Sequence, residues 1–213
     1  SREVDNNPKL KKIKIKSWRR RDVIKDYRFY IVSLNMLAMP WMATGIFVYQ
    51  SFIAESKMWA VYTIPKAFMV YSITSIVTLF LSGFLVDKFT GRKLILFMNI
   101  PLLLAMIILF QFNHEVFAYV FLGLIGVSNG LANILGSSTW AEIYGVKYIG
   151  SIKALTTAFM VFSTAFGTAL FGFLIDNSFT IENIAFVGGS YIVISLILLI
   201  FFRKTIKPTK LTN

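Results

Sequence analysis

The sequence predicts an all-α membrane protein of six transmembrane helices with both chain ends on the cytoplasmic side. Three observations predict it. First, 56% of the 213 residues are hydrophobic, where a soluble domain holds roughly 45–50%. Second, six apolar stretches, at about 29–53, 58–84, 94–112, 116–139, 154–175 and 184–202, are each long enough to cross a bilayer as a helix. Third, the basic residues gather on alternate breaks between those stretches. The breaks are short and polar: "AESK" at 54–57, "VDKFTGRK" at 86–93, "NHE" at 113–115, "AEIYGVKYIGSIK" at 141–153 and "DNSFTIEN" at 176–183. Connections this short make consecutive helices antiparallel hairpins.

The net charge is +12, from 22 Lys and Arg against 10 Asp and Glu. Spread evenly, that excess would suggest nucleic acid. With the N-terminal end inside, however, segments 1–28, 86–93, 141–153 and 203–213 hold eleven, three, two and four bases, 20 of the 22. Cytoplasmic flanks collect Lys and Arg, so the reverse orientation is rejected. The run "KLKKIKIKSWRRR" leads straight into a span and reads as a segment lying on an anionic leaflet, with no nucleic acid partner. The chain thus divides into a basic cytoplasmic segment 1–28, a six-helix transmembrane domain 29–202 and a cytoplasmic tail 203–213. Cysteine is absent, which removes disulfides, thiol chemistry and Cys-ligated metal. The single histidine, His114, reads as a solvated loop residue and excludes a multi-His site, so no metal or cofactor is expected. The chain begins at Ser1 without the pattern of a signal peptide, and reads as a piece of a longer protein or a processed chain.

Taken in order, the spans differ in polarity. The first carries Asn35, Met42 and Tyr49 at seven-residue intervals, with Gln50 alongside; the second carries Tyr71, Ser75, Thr78 and Ser82. The third has Asn99 as its main polar group. The fourth repeats Asn129, Asn133 and Ser137 every four residues, the fifth carries Thr157, Thr164 and Thr168, and the sixth is almost wholly aliphatic and aromatic beyond Ser190. Helical spacing puts each set on one stripe. Amides and hydroxyls in lipid need partners, so the first, second, fourth and fifth helices are expected to share a polar cavity, with the third and sixth peripheral. Gly126 and Gly130, and Ala165, Ala169 and Gly172, read as close-packing sites. Pro40, Pro65 and Pro101 fall within spans. Trp18, Tyr27, Tyr30, Trp59, Tyr62, Trp140, Tyr144 and Tyr148 sit near span ends, as an aromatic belt would. Lys66 is the one ionisable residue within a span. It falls near the outer interface, where it can snorkel, and about 180° from Ser75 on the helix.

The stretch "SGFLVDKFTGRKLILF", 82–97, sets Asp87, Lys88, Arg92 and Lys93 between two apolar spans. Gly83 would let another helix approach, Asp87 could face the positive N-terminal end of a neighbouring helix, and Arg92 could return to a carboxylate. The spacing resembles the loop motif of the major facilitator superfamily, G-x-x-x-D-[RK]-x-G-x-[RK]-[RK]. Gly83, Asp87, Lys88, Arg92 and Lys93 match; Thr90 stands in place of the second glycine, and Gly91 follows it. "SWRRRDVIKDYRFY" (17–30) is similar to the approach to the seventh helix in bacterial monocarboxylate-porter-like members, and "WAEIYGVKYIGSIKAL" (140–155) to the loop after their tenth.

The resemblance implies the last six helices of a twelve-helix transporter in a bacterial inner membrane. Residues 1–28 would end its central loop, and the N-terminal six-helix half would be the partner. It implies alternating access about a midplane site between the halves and a small-molecule substrate, with a small organic anion suggested by the branch. It also implies that Asp87, Arg92, Glu142 and Lys153, with Gly83 and Lys88, form a cytoplasmic gating cluster. Cavity candidates are Asn35, Tyr49, Gln50, Ser75, Thr78, Asn129, Asn133, Ser137, Thr157 and Thr164. An intramembrane enzyme lacks its parts, since there is no Cys, no mid-span Asp or Glu and no His pair. A six-helix protein acting as a homodimeric half-transporter or regulatory subunit is the alternative.

The orientation makes a direct prediction. Cysteines placed at Asn113 and Ser178 label from outside intact cells with an impermeant maleimide, and cysteines at Thr90 and Ser151 do not. External labelling of position 90 ends the topology.

Overall fold

The computed structural model describes residues 17–208, so the basic run before Ser17 and the chain after Pro208 lie outside it. Among the described residues all regular structure is helical. The helices are α1 (Arg20–Ile24), α2 (Tyr27–Val48), α3 (Gln50–Ser56), α4 (Thr63–Lys88), α5 (Gly91–Leu94), α6 (Ile100–Gln111), α7 (Val116–Tyr144), α8 (Ile149–Asp176) and α9 (Ile181–Phe202). Five of them, α2, α4, α7, α8 and α9, are long and apolar enough to cross a membrane. The expected third span is not one continuous helix. It is α5, a stretch of turns over 95–99, and α6, whose 12 residues rise only ~18 Å against a ~30 Å hydrocarbon core. Pro101 explains where α6 begins, because a proline lacks the N–H that the first turn leaves unbonded anyway. Pro65 likewise sits in the first turn of α4, so only Pro40 is interior to a helix. The helices also run further than the apolar stretches. Asp87 and Lys88 belong to the last turn of α4, Glu142 to α7 and Lys153 to α8, leaving 89–90 and 145–148 as the connections.

The long helices form an arc. Neighbours along it are α4, α7, α6, α9, α2 and α8, so that α4 and α8 stand at the two tips. Two contacts within the arc are very close. A Cβ at Gly167 of α8 would run into the backbone of Trp41 in α2. On the other limb, a Cβ at Gly126 would strike the Tyr71 carbonyl and one at Gly130 would come within 2.6 Å of the Ser75 carbonyl. Small residues allow such approach, and interhelical hydrogen bonds then form across it. Thr74 Oγ1 donates to the Gly123 carbonyl at 3.0 Å, and Asn129 Nδ2 to Ser75 Oγ at 2.9 Å. In the fifth span the crossing falls to Gly167 and to Gly172, where a Cβ would stand 2.5 Å from Tyr49 Oη; Ala165 and Ala169 are exposed.

The back of the arc is not purely apolar. Asn99, expected on a peripheral helix, is fully buried. Its Nδ2 donates to the Asn35 carbonyl at 2.6 Å and to Asn35 Oδ1. Ser128 Oγ donates to the Met98 carbonyl at 2.8 Å. The Ser128 bond satisfies a backbone carbonyl in the turns of 95–99, where the helical ladder is interrupted and lipid offers no water as a substitute, and the Asn99 bonds tie those turns to α2.

Each end of the bundle is pinned by charge. At the basic end, Asp26 caps α2 through the Arg28 N–H (3.0 Å) and is held by the Arg28 guanidinium (2.8 Å) and by Tyr144 Oη (3.1 Å). The segment after α9 crosses this end as a strap. Arg28 Nη1 donates to the Lys207 carbonyl (2.9 Å), Arg92 Nη1 to the Ile206 carbonyl (3.1 Å), and Ile206 itself is buried beside Trp140, Ile143 and Tyr144. At the far end the Lys57 side chain is fully enclosed. Its Nζ donates to Glu182 Oε1 (2.6 Å) and Asn113 Oδ1 (2.9 Å), while Trp59 Nε1 donates to the Asn113 carbonyl (2.6 Å). Trp59, Trp140 and Tyr144 are therefore interior residues with bonding or stacking partners, not belt residues; Tyr27, Tyr30 and Tyr62 are exposed as a belt requires.

The Gly167 crossing is testable against Gly150, where a Cβ would meet nothing within 4 Å. Gly167→Val is expected to cost about 1–3 kcal/mol or more through overpacking and to lower the melting temperature of the detergent-solubilised protein. Gly150→Val leaves it near wild type.

Candidate functional site: a one-sided polar cavity

A cavity of about 510 Å³ opens on the inner face of the arc. α2 supplies Ser33, Met36, Pro40, Ala43, Thr44 and Phe47; α7 supplies Asn129, Asn133, Gly136, Ser137 and Trp140; α8 supplies Lys153, Thr156, Thr157, Phe159, Met160 and Thr164. Tyr71 of α4 and Met98 complete the wall named here. The space exists because the α2–α8 and α4–α7 pairs are each tight while α7 barely meets α2 and α8. Rings mark both extremities. Phe47 meets Tyr71 edge to face with centroids 5.2 Å apart, and Phe29 sits behind Trp140 and Phe159 at 5.2 and 5.8 Å.

The wall offers hydrogen-bonding groups at several depths. Asn133 Nδ2 is spent on the Asn129 carbonyl (2.9 Å), leaving Oδ1 as an acceptor. Thr164 and Thr156 return their hydroxyls to their own helix, at 2.7 and 3.0 Å. Pro40 cannot supply an N–H to the Met36 carbonyl four residues earlier, and both residues line the cavity. Thr44 Oγ1 donates to the Pro40 carbonyl at 2.8 Å. A second hollow of about 530 Å³ lies outside the arc between α6 and α9, walled by Leu103, Met106, Ile107, Phe110, Phe186 and Val193. Its wall is apolar except for Gln111 and Ser190, so size does not separate the two hollows. Convergent polar groups do, since those are what orient a bound solute.

Five of the ten cavity candidates from the sequence, Asn129, Asn133, Ser137, Thr157 and Thr164, line this wall. The other five lie outside it. Asn35 is buried against Asn99, Ser75 accepts from Asn129, and Thr78 packs under Gly130. Tyr49 closes the turn between α2 and α3 and stacks on Phe171, with Gln50 starting α3. Lys66 is exposed in the first turns of α4, away from the wall.

The charged loop resolves differently from its spelling. Glu142, not Asp87, faces a helix N-terminus. Its Oε1 accepts from the Gly91 N–H (2.6 Å) and its Oε2 from the Arg92 N–H (3.2 Å), with Arg92 Nε 3.4 Å from Oε2. Gly91 permits the close approach: a Cβ there would lie 2.6 Å from Ser138 Oγ and 3.2 Å from both Glu142 Oε1 and the Thr139 backbone nitrogen, so these groups would have to shift. Among the described residues Asp87 and Lys153 have no ion pair; both are exposed. Lys88 Nζ lies 5.6 Å from its neighbour Phe89's ring centre. A Cβ at Gly83 would meet nothing within 4 Å, so no described helix uses the approach it permits. In the 145–148 connection the Tyr148 phenol is held below its ordinary pKa, first by a hydrogen bond from Arg19 and then by the charge of Lys147.

Sequence reasoning passed over Lys57, Glu182 and Asn113 because each read as an ordinary loop residue; Glu182, 125 positions from Lys57, gave no local signal. It also passed over the lining role of Lys153, although the spacing of Lys153 and Thr157 puts them one turn apart on α8.

No curated protein and no solved structure matches the chain. The sequence profile of the Major Facilitator Superfamily matches residues 30–213, which take in α4, α7, α8 and α9 whole and all but the first turn of α2. With helices that can span a membrane arranged around a polar cavity, the chain belongs to the Major Facilitator Superfamily of membrane transporters.

Proposed function

We propose that this chain is the C-terminal six-helix half of a secondary transporter that moves a small solute by alternating access, with its basic end in the cytoplasm of a bacterial cell. The observation that carries the reading is the incomplete arc. Polar groups line its concave face, yet among the described residues no helix closes the opening between α4 and α8. Within α4 only Thr63, Ile64, Ala67 and Ser82 are buried, and Met69, Ile73, Phe80 and Phe84 stand exposed, as do Met160, Val161 and Phe166 on α8. A second six-helix half seated across those two tips turns the open cavity into a path between two bodies, the arrangement in which rocking carries a midplane site from one side to the other. Gly83, with open space before it, is then a contact point for that half.

In this reading Arg92 and Glu142 brace the basic end. Their partial burial makes the pair dependent on both members, because removing one leaves the other uncompensated. A state-dependent contribution of about 1–3 kcal/mol is enough to redistribute two conformations several-fold or more.

The test is uptake of a solute panel by the full-length protein in vesicles, with and without a pH gradient. Asn133→Leu is expected to lower initial uptake at least several-fold at normal membrane abundance, and Lys66→Gln to leave it near wild type. Wild-type uptake by Asn133→Leu would overturn the assignment of the cavity.

The brace has a separate signature. Glu142→Gln and Arg92→Gln are each expected to slow turnover by several-fold while changing the half-saturating solute concentration little. Equal effects on both parameters would make the pair a binding element, not a conformational one.

A further inference from the structure

We propose that the seam between α2 and α9, on the convex side of the arc, carries a binding site for one anionic phospholipid. Its phosphate is held at the basic end by Lys25, Arg203 and Lys204, and an acyl chain lies against Tyr27, Phe201 and Phe202. The site needs only that the helices span a bilayer, whatever solute the cavity takes. Two stretches far apart in the chain meet here. The Tyr27 ring stands edge to face with Phe202, centroids 5.9 Å apart, and Arg28 Nη1 reaches the Lys207 carbonyl at 2.9 Å. These contacts bring Lys25, two residues before Tyr27, to the same corner of the fold as Arg203 and Lys204, which directly follow Phe202; all three bases are exposed. Cytoplasmic flanks collect bases in any case. Folding two basic stretches onto one corner goes further, because like charges repel there unless an anion comes between them.

The protein's own acids do not fill that role. Asp26 is buried and held by the Arg28 guanidinium and Tyr144 Oη. Asp22 accepts from the Arg19 N–H at 3.3 Å and is outnumbered by the exposed Arg19, Arg20, Arg21 and Lys25. No acid follows Glu182 in the sequence. Below the bases the seam faces lipid. Nine residues, about two and a half turns, separate Tyr27 from Met36 of the cavity wall, which puts Tyr27 on the opposite side of α2. Deeper along the same seam Tyr191 Oη of α9 donates to the Leu34 carbonyl of α2 at 2.7 Å, so the two helices stay joined there. Tyr27 and Phe201 stand exposed, and the Phe201 ring meets that of Phe202 at 5.1 Å. A phenol at headgroup depth beside ammonium and guanidinium groups offers a phosphodiester donors alone. Basic corners between spans take anionic headgroups for this reason, whereas a choline headgroup brings a cation of its own against the same bases.

The experiment places the full-length protein in phosphatidylcholine vesicles holding a trace of phosphatidylglycerol with a photoactivatable diazirine in its acyl chain, and maps the label to peptides. The expected result is label on residues 24–30 and 197–204 that excess phosphatidylglycerol displaces and free glycerol phosphate does not. Arg203→Gln with Lys204→Gln is expected to lower that labelling about tenfold or more, the scale of two bases acting on an anionic surface, and Arg203→Lys with Lys204→Arg to retain it. Lys25→Gln, outside the strap, is expected to lower it several-fold by itself, so the test does not hang on one variant. Lys93→Gln with Lys147→Gln removes as much charge from the basic end away from the seam and is expected to leave the labelling unchanged. Melting temperatures in phosphatidylcholine alone check that each variant is folded. Equal labelling by a phosphatidylcholine analogue, displacement by free glycerol phosphate, an equal loss in the Lys93 and Lys147 variant, or undiminished labelling when Arg203 and Lys204 are replaced overturns the site.

Discussion

The backbone of α8 meets the backbone of α2 at Gly167 against Trp41, and the backbone of α7 meets that of α4 at Gly126 and Gly130. Helices in lipid gain little from apolar burial, because the tails are as apolar as the side chains. Their association depends on how near the backbones come and on the polar bonds that nearness permits. Here two limbs close tightly and the space between them stays open. The cavity is what remains when four helices pair two by two, with α6 and α9 tying the pairs together behind. Enlarging a glycine at either crossing would move a limb and change the shape of the cavity along with the stability of the fold.

Polar groups away from the cavity serve the opposite purpose. Asn99 ties the interrupted third span to Asn35 of α2, and Ser128 satisfies the Met98 carbonyl that the interruption sets loose. Lys57 with Glu182 and Asn113, and Asp26 with Arg28 and Tyr144, tie loops together at the two ends. An asparagine inside lipid thus has either of two meanings. Asn99 is enclosed, with its Nδ2 spent on Asn35 and its Oδ1 facing no partner among the described residues; Asn133 faces the hollow, where its Oδ1 is open to a solute. The distinction lies in the neighbour that each amide meets, not in the residue type.

That distinction marks how far the sequence could be read. Apolar length located the five long helices, since hydropathy and the obligation to satisfy every backbone group in lipid leave few alternatives. Helical spacing located the lining of α7 and α8, because Asn129, Asn133, Ser137, Thr157 and Thr164 recur on one stripe of each helix. It misled for Ser75 and Thr78, which share a stripe that turns toward α7 and not toward the hollow. The interruption at 95–99 was hidden, since residues on both sides are equally apolar and Pro101 can stand inside a span or at a helix start. Glu142 as the acid facing Gly91 was hidden for another reason. The pair is separated by about fifty residues, and one-dimensional spacing makes Asp87 the nearer candidate.

The strap across the basic end has a consequence for the order in which the molecule is made. Arg92 precedes α6, yet it donates to the carbonyl of Ile206, 114 residues later. Arg28 reaches still further, 179 residues, to Lys207. Neither arginine can meet its carbonyl until α9 has been synthesised and threaded into the bilayer. During biogenesis the guanidinium of Arg92 therefore waits through the insertion of α6 and of the three long helices after it, and the basic end stays unfastened until the ribosome has passed residue 207. Contacts this distant along the chain close late because their loop entropy must be overcome first. A released chain that ended just before residue 206 would hold all five long helices and lack the strap.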